Sequence, residues 1–70
     1  MPWHSTLQRE ELLLVLGGAV QLHVRRQGSI RVQPLRGGEG MFLPCAIWHQ
    51  VTNDSRRPAT YIYVTAPIGP

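Results

Sequence analysis

Apolar residues along this chain come in short runs or in strict alternation, cut at close intervals by glycine, proline and Asn/Asp/Ser clusters. Val20, Leu22 and Val24 alternate with Gln21, His23 and Arg25, the period-two signature of a half-buried strand. That strand is predicted over Ala19 to Arg25, and a first one over Glu11 to Leu16, with Gly17-Gly18 as the turn between them. Gln27-Gly28-Ser29 turns the chain again. Ile30 and Val32 then alternate with Arg31 and Gln33. Pro34 to Gly40 reads as a loop, because it is rich in turn formers. Met41 to Leu43 predicts a short strand stopped by Pro44, and Trp48 to Thr52 another. Asn53 to Pro58 is a turn, and Ala59 to Thr65 a β-branched and aromatic final strand. Helical spacing persists nowhere for the 10–12 residues that would outweigh this pattern. The expected fold is all-β, a sandwich or barrel of hairpins.

Length narrows the picture. Seventy residues make one domain, 1–70, with a small core. No apolar run approaches the ~20 residues of a membrane-spanning helix, so no membrane partner is expected. Met1-Pro2-Trp3-His4 lacks the basic and apolar regions of a signal peptide. A single cysteine, Cys45, excludes an internal disulfide framework and suits a reducing compartment. A cytoplasmic protein is the expectation. Asn53-Asp54-Ser55 matches a glycosylation acceptor, but reads better as a turn.

The net charge of +3 comes from seven arginines and no lysine. They are spread along the chain rather than gathered in a stripe with aromatics, so nucleic acid is not the expected partner. An anionic small ligand or plain solubility accounts for them equally well.

Few residues can carry chemistry. His23 shares a strand face with Gln21 and Arg25, so exposure is expected. Glu39 and Asp54 fall in turns. Cys45 and His49 could pair as thiol and imidazole, but no third orienting group is evident. His4, Glu11 and His49 remain. Two imidazoles and a carboxylate from different strands are the ligand set of a facial metal site. The same residues also read as an ordinary terminal His, a surface Glu and a core His, and spacing alone favours that plainer reading.

The motifs around these residues resemble those of the cupin superfamily. The second cupin motif runs Gly, five residues, Pro, one residue, Gly, two residues, His, three residues, Asn. Gly38, Pro44, His49 and Asn53 stand at that spacing, and Ala46 replaces the second glycine. In the first motif, His4-Ser5-Thr6 would stand for His-x-His, followed by Glu11 and Gly18 at the motif's distances. Thr6 takes the place of the second His, and the opening glycine and its strand are absent. The resemblance implies a double-stranded β-helix, a jelly-roll-like barrel lacking the usual leading strands. It implies that His4, Glu11 and His49 hold a divalent transition metal, with Fe, Mn, Ni and Zn all acceptable to such ligands. It also implies an inward-pointing His49 set in a dry wall of its apolar neighbours.

Threonine is a poor ligand, so three protein ligands and open positions would remain, a catalytic rather than a structural pattern. Two functional classes follow. One is a metal-dependent oxygenase or isomerase acting on a small molecule, with Tyr61 and Tyr63 lining its pocket. The other is a non-catalytic ligand-binding or interaction module with a weak or empty metal site. A homodimer is expected in either case, because the core is small and Leu12 and Leu14, if outward on one face, supply an apolar patch.

Overall fold

The computed structural model describes Trp3 and residues 8–67. The described chain is all-β, with strands β1 Arg9–Gly17, β2 Ala19–Arg26, β3 Ser29–Arg36, β4 Gly40–Leu43, β5 Trp48–Thr52 and β6 Thr60–Pro67. They form two three-stranded antiparallel sheets, ordered β4-β1-β6 and β3-β2-β5. Among the described residues no helix is long and apolar enough to cross a membrane.

Each turn has a local cause. Gln27 and Gly28 both have positive φ, 50° and 79°, and Arg26 pairs with Ser29 across them. Two central residues with φ above zero match the right-handed twist of the flanking strands, which makes a tight β2–β3 hairpin. Gly18 has φ of 75°, and a Cβ there would stand 2.7 Å from the Pro58 carbonyl, so the β1–β2 turn requires glycine. In the turn after β5 the Asn53 carboxamide accepts from the Ser55 backbone N–H at 3.0 Å and donates to the Arg57 carbonyl at 2.8 Å.

The sheets pack through alternate residues. Leu13 and Val15 of β1, Val20 and Leu22 of β2, Leu35, Leu43 and Val51 form the buried core. Tyr61 and Tyr63 of β6 pack against it, half-buried. Leu35 was expected in a loop. Instead β3 runs through Pro34 and Leu35 to Arg36, and Leu35 is 4% exposed. β3 is an edge strand, where proline's missing N–H leaves no partner unsatisfied.

The inner side of β3 is unusual. Val20 pairs with Leu35, Leu22 with Gln33 and Val24 with Arg31. Cross-strand partners share a face, so Arg31 and Gln33 project from the core side of the sheet. Ile30 and Val32 lie on the outer side, about half exposed. The strand therefore alternates as the sequence suggests, with its polar residues on the core-side face, where Arg31 and Gln33 stay exposed at the sheet edge.

Candidate functional site

Glu11 and His49 reach the interior from opposite sheets. Glu11 precedes Leu13 and Val15 on the inward side of β1, and His49 shares the inward side of β5 with Val51. They are buried, at 4% and 1% exposure. Nε2 of His49 lies 3.6 Å from Oε2 of Glu11. Each sits beside an apolar register partner, Leu43 for Glu11 and Val24 for His49.

The tautomer of His49 follows from its other nitrogen. Nδ1 lies 2.9 Å from the Ile47 carbonyl, which can only accept, so Nδ1 carries the proton. In the neutral ring Nε2 then presents its lone pair toward the Glu11 carboxylate. A backbone carbonyl on the second nitrogen is the usual way a metal-binding imidazole is oriented. Two donors bound to one first-row ion at about 2.1 Å stand roughly 3.0–3.4 Å apart at angles of about 90–109°. The observed separation is a few tenths of an ångström wider. The pair thus brings together one imidazole nitrogen and one carboxylate oxygen, two donors of the kind a divalent cation takes.

The turn before β5 fixes this geometry. Ala46 has φ of 62°, in the left-handed region that favours glycine. It stands where the resembled motif has its second glycine. Trp48 is turned outward and half exposed, contrary to the expected wall made by the neighbours of His49. Alternation within β5 forces this, since residues 48 and 49 must point to opposite faces. The apolar surroundings come from other strands, including Val24 and the Tyr63 ring, whose centroid lies 6.0 Å from that of His49. Tyr61 meets Tyr63 edge-on at 6.0 Å. Burial, then Tyr61 and Glu11, push the Tyr63 phenol well above its ordinary value, so it stays protonated.

The other candidates are apart from this pair. His4 and Thr6 lie outside the described residues. Among the described residues, no third His, Cys, Asp or Glu joins Glu11 and His49. His23 is half-buried rather than exposed. Its Nε2 is 3.0 Å from the Thr52 hydroxyl, and Trp3 packs edge-on against its ring. Glu39 caps its own turn by accepting the Arg36 backbone N–H at 2.7 Å. Cys45 is half-buried in the turn that contains Ala46.

Sequence reading gave no weight to the inner face of β3. A cavity of about 520 Å³ opens beside Leu43 and Val24. Arg26, Arg31 and Gln33 line it from the β2–β3 hairpin, and Met41 from β4. The unexplained parity of Arg31 and Gln33 against Leu35 was the available signal.

Comparison with known proteins gives no match: no family model fits the chain, and no curated protein or solved structure is similar to it.

Proposed function

We propose that this chain is a small cupin-type barrel that binds one divalent transition metal between its sheets and acts on a small molecule. Glu11 and His49 would hold the ion, with His4 as the third ligand. The observation that carries this reading is the meeting, at 3.6 Å, of a buried carboxylate and a buried imidazole whose Nδ1 lies against a backbone carbonyl, contributed by opposite sheets. The left-handed Ala46 supports it, because the motif asks for glycine there. When bound, the ion would supply Lewis-acid chemistry to a small substrate. The chain's own contribution is to set Glu11 opposite His49, hold the His49 ring through Nδ1 against the Ile47 carbonyl and surround both with apolar side chains. Tyr63 would offer a phenolic O–H beside them. Oxygenase and isomerase chemistry both suit such a site, and fold alone selects neither.

Metal loading tests the reading. After stripping with chelator and reloading, one equivalent of Fe, Mn, Ni or Zn should remain by elemental analysis. His49→Ala should reduce this to background. Saturation at about 100 times Kd should also stabilise the parent by about 2.7 kcal/mol, and the variant by much less. Retention of a full equivalent by His49→Ala would sink the proposal. Failure of the folded parent to bind any of the four ions would leave the second class, a metal-free binding module.

A second copy of the chain is the partner we propose for the outer face of the β4-β1-β6 sheet. Leu12 pairs with Phe42 and Val64, and Leu14 with Ile62, so these side chains share that face. Leu16 continues it, and it carries no charge across its centre.

A further inference from the structure

We infer that the cavity between β3 and β4 is a binding site for a small organic carboxylate with an aliphatic or aromatic body. The inference stands apart from the metal reading, since none of its residues would hold the ion.

Strand parity comes first. Surface arginines on a sandwich ordinarily occupy outward positions, where the guanidinium is solvated and the core face stays apolar. Arg31 is also exposed, but it stands on the other face. It pairs with Val24 and lies on the face that carries Val20, Leu22 and Leu35. Arg26, two residues beyond Val24, falls on the same face. Ile30 and Val32 alternate with Arg31 and are about half exposed, Val32 also reaching the rim of the cavity. Arginine and glutamine thus stand on the core-side face of the strand, at the open edge between the sheets where they remain solvent-accessible.

What lies there is the cavity of about 520 Å³, within the range of small-molecule sites, about 300–1,000 Å³. Its chemistry is divided. Val24, Met41 and Leu43 give an apolar wall, while Arg26, Arg31 and Gln33 supply donors. Among the described residues no aspartate or glutamate lines it to neutralise the two guanidiniums. Arg26 and Arg31 also border a second hollow at the hairpin, lined among the described residues by Gln27 and Ser29 and by no carboxylate. A guanidinium presents paired N–H donors that match a carboxylate's two oxygens. An apolar body on the same molecule would cover Met41 and Leu43. A bare inorganic anion would satisfy the arginines and leave that wall wet.

Titration of the full chain in chelator-containing buffer, followed by calorimetry and amide chemical shifts, tests this. The probes are benzoate, benzamide with the same shape and no charge, and inorganic phosphate. Benzoate should bind with a Kd in the millimolar range or tighter, at least about tenfold better than either comparison. Its shifts should include Met41 and Leu43. Arg31→Gln should weaken benzoate at least about tenfold, and Arg31→Lys, which keeps charge but loses the fork, by a smaller factor. Arg57→Gln, an equal loss of net charge in the turn before β6, should change affinity less than about twofold. Circular dichroism establishes that each variant is folded. Equal binding of benzamide would overturn the inference, as would phosphate binding as tightly as benzoate. So would an equal loss in Arg57→Gln, or no benzoate binding in the folded parent.

Discussion

At the scale of the residue, Ala46 links local strain to the site. A non-glycine residue in the left-handed region costs about 1–2 kcal/mol, because Cβ crowds the neighbouring carbonyl. Relieving that strain and losing some unfolded-state restriction work in opposite directions. Ala46→Gly should therefore stabilise the protein modestly, by up to about 1 kcal/mol. Urea unfolding would register it as a higher midpoint with an unchanged slope. A loss of stability would mean that the left-handed turn is not what sets the approach to β5. The direction of His49 depends on that turn, since Nδ1 donates to Ile47, the residue that follows Ala46. Metal affinity in Ala46→Gly should stay at the parental level.

At the scale of the element, β3 decides most. Its outward residues Ile30 and Val32 contribute little to the core, while Leu35 is buried at its far end. Leu35→Ala should cost about 2–4 kcal/mol through lost burial and a residual cavity. Val32→Ala should fall within about 0.5 kcal/mol, as for an ordinary exposed site. Denaturant melts of the two variants check the register directly. The reverse order would require the strand to be slipped by one residue, which would move Arg31 and Gln33 to the outer face of the sheet.

At the scale of the whole molecule, one sheet has two apolar faces. The inner one forms the core. The outer one exposes Leu16, Phe42, Ile62 and Val64, each between 43% and 59%. Monomeric proteins rarely leave contiguous apolar patches larger than a few hundred Å² in water. Among the described residues the centre of this face is apolar and uncharged, which suits a two-fold pairing of identical sheets. A dimer should therefore sediment at micromolar concentration. Ile62→Lys should place two like charges in the interface and shift the population to monomer, with circular dichroism retained. A folded parent that sediments as a monomer refutes the pairing.

The sequence alone determined most of the strands, because period-two alternation and turn chemistry are local properties. Ala19 to Arg25, Met41 to Leu43 and Trp48 to Thr52 were legible in this way. Leu35 was not, since Pro34 signals a break wherever a strand is not at an edge, and edge position is a tertiary fact. Motif spacing singled out Glu11 and His49, and only packing of the two sheets could bring them to 3.6 Å. Spacing along one chain carries no information about distance between strands of different sheets. Alternation likewise marks two faces of β3 without saying which is inner. That was settled by pairing with β2, whose apolar face is fixed by Val20 and Leu22. Parity along a strand is written in the sequence, and the side that becomes the interior is chosen by the neighbours against which it packs.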